Sequence, residues 1–257
     1  MHIFDSHAHY DDPAFDEDRR RLLPDLHRQG VDFITNIGCD AKTCEASVAL
    51  TEQYDFVYAS VGWHPEFAGS WNAEAEALLR RLARHPKVRA IGETGVDYHW
   101  MCDPAEVQLA CFDAQLSIAE EVGLPVVIHQ REGTEDCLSV VRRHPGVTGV
   151  FHCYSGSAET ARELLDRGFY LGFTGVITFK NARKSHEVLR MMPRSRILIE
   201  TDCPYMAPVP CRGQRCHSGL LPHTLAALAE ILGISVEEAA DLTCANAKRF
   251  YGIEERR

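Results

Sequence analysis

Two histidines separated by one residue, His7 and His9 in Asp5-Ser6-His7-Ala8-His9, follow the apolar pair Ile3-Phe4. On an extended chain alternate side chains share a face, so both imidazoles project the same way and can grip one cation. A helix separates residues two apart by about 200° and would split the pair. The spacing therefore predicts a strand that ends in two metal ligands, although by itself it also fits two partly buried histidines at a strand end. His64, Glu93, His129, His152 and Asp202 stand at the ends of other short apolar runs. Imidazoles and carboxylates there are awkward for a plain core, where each needs a buried partner, and as a set they supply the nitrogen and oxygen donors of a divalent-metal site.

The runs that would carry these groups alternate with helical patterns along the whole chain. Residues 3–7, 31–37, 57–61, 88–93, 125–129, 149–152, 169–173 and 197–200 read as eight strands. Between Pro104 and Gly123, Val107, Cys111, Ala114, Ile118 and Val122 recur at helical spacing, and Gly123 suits the stop. Eight βα units in 257 residues predict an α/β protein, a (β/α)8 TIM barrel forming a single domain over 1–257, with its chemistry at the carboxyl ends of the strands. The runner-up, a doubly wound open sheet, would carry a G-x-G-x-x-G turn after the first strand, and none is present. An irregular basic loop, 208–217, precedes two closing helices at roughly 219–232 and 235–247.

With 45% hydrophobic and 25% charged residues, the chain suits a full core rather than a disordered ensemble. Its net charge of −10 opposes tight non-specific binding to nucleic acid, so a phosphate-bearing substrate would need local cations and a few basic side chains. MHIFDSHAHY has no basic segment followed by an apolar one, and no uncharged apolar stretch reaches about 18 residues. The expectation is a soluble cytoplasmic protein that makes no membrane contact and whose ten cysteines are reduced thiols.

Five segments together, Asp5-Ser6-His7-Ala8-His9, Gly92-Glu93-Thr94-Gly95-Val96-Asp97-Tyr98, Pro125 to Arg131, His152-Cys153-Tyr154-Ser155-Gly156 and Glu200-Thr201-Asp202-Cys203-Pro204-Tyr205, resemble in order and spacing the signature blocks of the TatD family of metal-dependent deoxyribonucleases. The resemblance implies an amidohydrolase-type barrel with one or two divalent ions (Mg, Mn or Zn) that hydrolyses DNA phosphodiesters, often from 3′ to 5′. It further implies that His7, His9 and Asp202 bind a first metal, that His129 and His152 bind a second, and that Glu93 bridges the two. Two carboxylate oxygens can span cations about 3.5–4 Å apart, whereas one imidazole cannot. Related barrels often bridge with a modified lysine; the only lysine near this strand is Lys87 at its start. Glu93 and Asp202 are thus the expected catalytic residues: cation-activated water attacks phosphorus, and Asp202 either takes its proton or orients it.

Around this set, His64, Arg131, Arg212 and Arg215 are candidate substrate contacts. A guanidinium suits phosphate, though Arg131 can equally pair with Glu132 or Asp97. Asp5 faces the side of His7 and can fix an imidazole tautomer. Tyr98 and Tyr154 can stack on a base or pack at the rim. The family's basic loop usually ends in asparagine where this chain has Cys216, and Tyr10 replaces a common leucine. Cys211, Cys216, His217 and His223 match no known zinc-finger spacing and read as free thiols and solvated histidines. The expected function is cleavage of DNA, a transient substrate, at single-stranded or frayed ends, with no obligate protein partner. The alternatives are an amidohydrolase acting on a C–N or carboxyl-ester bond of a small molecule, and a binding protein on a decayed barrel.

Overall fold

A computed structural model describes residues 1–253. Its strands are β1 (Ile3–Ala8), β2 (Val31–Ile37), β3 (Val57–Val61), β4 (Val88–Asp97), β5 (Val126–Arg131), β6 (Gly149–Phe151), β7 (Tyr170–Phe173) and β8 (Ile197–Ile199). The helices are α1 (Arg19–Arg28), α2 (Ala41–Gln53), α3 (Ala73–Leu82), α4 (Ala105–Val122), α5 (Thr134–Arg143), α6 (Ala158–Asp166), α7 (Arg183–Met191), α8 (Leu221–Leu232) and α9 (Val236–Phe250). The strands follow one another in the sheet in chain order, and a parallel bridge from Ala8 to Cys203 returns the chain beyond β8 to β1. Strands in chain order with a helix after each are the (β/α)8 barrel that the periodicity predicts.

The chain divides into two compact units, Met1–Thr35 with Cys153–Arg257, and Asn36–His152. In the first, Phe4, Leu171, Leu198 and Leu225 are buried core residues. Phe4 stacks on Tyr251, the residue that follows α9, whose hydroxyl donates to the Ser6 carbonyl at 2.7 Å. In the second, Ile91, Phe112, Leu116 and Ile128 fill the core. Gln115 of α4 fastens the end of β3 there: its Oε1 accepts from Trp63 N–H at 2.8 Å and its Nε2 donates to Thr94 Oγ1 at 2.7 Å.

Two strands run more than one residue past their expected ends. β4 continues to Asp97 and β5 to Arg131, so Glu93 and His129 lie inside strands rather than at their last positions. Gly92 and Gly95, both with φ 139°, let β4 pass a register shift against β5 between Ile91 and Thr94 and continue. α4 ends on Gly123 in the left-handed region, φ 69°, as its glycine stop predicts. None of the ten cysteines forms a disulfide. Among the described residues no single helix is long and apolar enough to cross a membrane; the segments Ser218–Leu232 and Val236–Phe250 meet that criterion only as a pair bent by 104°. Their Leu225, Leu228 and Ala240 are core residues.

Leu198, 0% exposed in β8, has no room to be truncated silently: Leu198→Ala is expected to cost about 2–5 kcal/mol. Denaturant unfolding checks this, and a loss below about 1 kcal/mol would contradict the packing described.

Candidate metal centre

Alternation along β1 directs Asp5, His7 and, one residue past the strand, His9 to one side. The Nε2 atoms of His7 and His9 are 3.1 Å apart, and Asp202 Oδ1 lies 3.6 and 3.5 Å from them. Donors about 2.0–2.2 Å from one cation sit roughly 3–3.5 Å from each other, so this triad has the spacing of ligands to a shared ion. Asp202 reaches this position with φ 55°, and its N–H donates to the His7 carbonyl at 2.9 Å. A left-handed aspartate is a strained choice that surrounding structure must hold.

The holding group is Asp5. Its Oδ2 accepts from Thr201 Oγ1 and Ser218 Oγ, both at 2.6 Å, and its Oδ1 from Thr201 N–H at 3.0 Å and more weakly from His7 N–H at 3.4 Å. Burial pushes the Asp5 carboxyl up to about 6 even against the bonds from Ser218 and Thr201. Asp5 thus orders the backbone on either side of the two ligand segments, not an imidazole tautomer as the strand pattern suggested. Tyr10 does more than pack: its hydroxyl contacts Ser218 Oγ at 2.7 Å and accepts from Ser218 N–H at 2.8 Å.

In the second unit, Glu93 and Asp97 share one face of β4. Gly95, between them, pairs with His129 of β5, and a Cβ at Gly95 would fall 2.0 Å from the His129 carbonyl oxygen. Only glycine permits that approach. Glu93 Oε1 lies 2.9 Å from His129 Nδ1 and 2.8 Å from His152 Nε2, and those nitrogens are 3.1 Å apart. His129 Nε2 donates to Asp97 Oδ2 at 3.0 Å, which leaves the Nδ1 lone pair aimed at the Glu93–His152 side. Burial alone would lower the His129 pKa, but Asp97 and Glu93 raise it, so a cation at Nδ1 displaces a proton. Burial likewise would raise the Asp97 carboxyl, yet His129 and the backbone N–H groups of Trp100 and His99 bring it down to about 2.

His64 Nε2 stands 3.7 Å from Glu93 Oε1, with its ring edge-on to His129 at 4.5 Å. Its Nδ1 accepts from Glu66 N–H at 3.2 Å. A neutral imidazole has one acceptor nitrogen, so Nε2 carries the hydrogen and faces Glu93 as a donor rather than as a ligand. Lys87 is remote from this work, its amine held by the carbonyls of Thr51, Tyr54 and Asp55.

The basic candidates are distributed differently. Arg131 pairs with neither Glu132 nor Asp97; its guanidinium lies over the Trp100 ring at 5.4 Å, while Glu132 pairs with His99 at 3.3 Å. Arg212 lies over Phe179 at 4.6 Å. Arg215 is engaged bidentately by Asp18 at 2.9 and 2.6 Å and covers Phe15. Tyr98 donates to Asp136 at 2.8 Å and Tyr154 to the Ser157 carbonyl at 2.7 Å. Cys216 is buried, its thiol pushed up to about 12 by burial, and His217 Nδ1 accepts from Gly219 N–H at 3.2 Å. Asp97 escaped sequence reasoning except as an arginine partner; its signal was its place four residues after Glu93 on the same strand face.

Parallel strands in βα succession, with imidazole–carboxylate triads on them and on the segments that follow them, define the class: a metal-dependent hydrolase built on a (β/α)8 barrel. A family model described as "TatD related DNase" matches residues 4–252, and the chain belongs to the TatD family. It is 40% identical over 253 residues to the Bacillus subtilis protein named "Uncharacterized metal-dependent hydrolase YabD", covering 98% of this chain and 99% of that one. It is 30% identical over 259 residues to the Erwinia tasmaniensis "3'-5' ssDNA/RNA exonuclease TatD", covering 98% and 100%. The crystal structure of the TatD homologue YJJV from Escherichia coli superposes with a TM-score of 0.89 at 27% identity, over 98% of each chain.

Asp97→Asn removes the charge that fixes the His129 tautomer, and metal affinity should fall about 10–100-fold with little change in melting temperature. Competition with a chelating dye reads the affinity; unchanged binding would remove Asp97 from this role.

Proposed function

We propose that the protein is a metal-dependent phosphodiesterase that removes nucleotides from single-stranded or frayed DNA ends in the 3′ to 5′ direction, with residues 1–257 acting as one catalytic domain. The observation that carries this reading is the pair of donor triads, His7-His9-Asp202 and Glu93-His129-His152, each with donor atoms 2.8–3.6 Å apart. Each triad combines borderline nitrogen with hard oxygen donors, a set suited to Zn or Mn and able to accept Mg. Divalent cations held by these groups would supply Lewis acidity, lower the pKa of bound water and neutralise charge on the phosphate.

The chain's own residues do the rest. Asp202, whose Oδ1 is turned toward the His7 and His9 nitrogens, takes a proton from the attacking water or orients it. His64, with its hydrogen on Nε2, is a donor to a phosphate oxygen or to Glu93. Asp97 keeps the His129 lone pair directed away from itself. Arg131, two residues after His129 on β5, supplies positive charge to a phosphate, and Arg212 is a second candidate donor in the loop after β8. Arg215 has its donors committed to Asp18 and contributes less. Membership of the family and the Erwinia relative named as an exonuclease support nucleic acid as substrate; the net charge of −10 favours brief engagement at ends over lasting association.

The test is release of nucleotide from 5′-labelled single-stranded DNA by purified protein with Mg²⁺, Mn²⁺ or Zn²⁺ in turn. Loss of activity is expected with EDTA, and a fall of at least about 100-fold with His129→Ala. A ladder shortening from the 3′ end supports the reading. No cleavage with any of the three ions, alongside hydrolysis of an amide or carboxyl ester, would replace it with the small-molecule amidohydrolase.

A further inference from the structure

The largest exposed aromatic group beside the second triad has no part in the chemistry above. Trp100 is 60% exposed, just beyond β4, and Met101 and Phe67 are 47% and 42% exposed. The segments carrying them are joined, because Asp103 Oδ2 accepts from Gly69 N–H at 2.7 Å. An indole left in water is a cost to the folded protein unless something covers it. A mobile loop would explain the exposure cheaply, but this one is fastened. Asp97 Oδ1 accepts the N–H of His99 at 2.9 Å and of Trp100 at 2.8 Å, while Oδ2 of the same carboxylate holds His129. The ring is further set by Arg131 at 5.4 Å and by the His99 ring, edge-on at 4.8 Å.

From this arrangement we infer that Trp100 is a stacking platform for a nucleobase of a single-stranded substrate, placed by Asp97 in fixed relation to the His129 ligand, with Arg131 meeting the adjoining phosphate. The inference rests on the nuclease reading and adds the recognition element to it. Three features select a base as the occupant. A flat indole takes any base on its π-face without reading its edges, as end-degrading chemistry requires. The guanidinium on that ring offers its charge and donors to a phosphate within a nucleotide's reach of the base. One carboxylate fixes both the ring's backbone and the His129 tautomer, a link that suits a substrate group next to the scissile bond and would serve no purpose for a protein or lipid partner. Of the two tyrosines that sequence alone nominated for stacking, Tyr154 is buried with its hydroxyl on the Ser157 carbonyl, and Tyr98 is half-buried with its hydroxyl committed to Asp136. Trp100 takes that role, with Phe67 and Met101 extending the apolar surface under a second base.

The experiment measures binding apart from cleavage. Fluorescein-labelled oligothymidylate with hydrolysis-resistant phosphorothioate links at its 3′ end is titrated with metal-loaded wild type, Trp100→Ala and Trp100→Phe, and anisotropy gives Kd. A second oligonucleotide carries abasic sites at its last two 3′ positions. Trp100→Ala should weaken binding of the first about tenfold, Trp100→Phe should recover most of it, and the abasic strand should bind all three proteins equally. Melting temperatures confirm that the variants fold. Equal binding of the base-bearing strand by wild type and Trp100→Ala, or an equal loss on the abasic strand, would overturn the platform. Cleavage of an unmodified strand is scored separately: binding through Trp100 without cleavage retains the platform and removes the nuclease, whereas cleavage with no Trp100 dependence does the reverse.

Discussion

A neutral imidazole offers one lone pair, and the hydrogen bond at its other nitrogen decides where that lone pair points. In the second compact unit the decision is made by Asp97, which accepts from His129 Nε2 at 3.0 Å and turns Nδ1 toward Glu93 and His152. The bond is possible because β4 runs four residues past Glu93 on one face and because Gly95 lets β5 come close enough. Strand length, glycine placement and tautomer are therefore one constraint. The same carboxylate sets the backbone at His99 and Trp100, so the position of the exposed indole follows from the requirement imposed on the ligand.

The first unit solves the same problem with other atoms. His7 and His9 are placed by strand alternation, but Asp202 comes from a segment nearly two hundred residues later and adopts a left-handed backbone. Asp5 meets that requirement by taking four hydrogen bonds, three of them from Thr201 and Ser218. Burying such a carboxylate is costly, as its raised pKa indicates, and the cost is offset by order in the ligand segments. In both units a buried aspartate that binds no metal in our reading determines the geometry of residues that do.

How much of this was legible beforehand varied with the range of the signal. All eight strands and α4 with its glycine stop were readable because periodicity of two or near 3.6 is local. The extensions of β4 and β5 were not: Gly95 looks like a strand end until a paired neighbour carries the chain through it, and β5 continues only because that longer β4 pairs with it. Arg131 and Arg215 have the same chemistry in one dimension. Only folding put Trp100 beneath one and Asp18 against the other. Trp100 itself lay two residues after Tyr98 in the sequence, and nothing local said which aromatic would face outward.

Composition, periodicity and five ordered motifs thus determined the fold class, the family and the types of the donor residues, because each depends on side-chain identity and near-neighbour spacing. Tertiary structure decided tautomers, which arginine keeps its charge available, and which aromatic ring stays in water. Those properties depend on a partner's distance and direction, and the partners are supplied by strands and loops that the linear chain keeps apart.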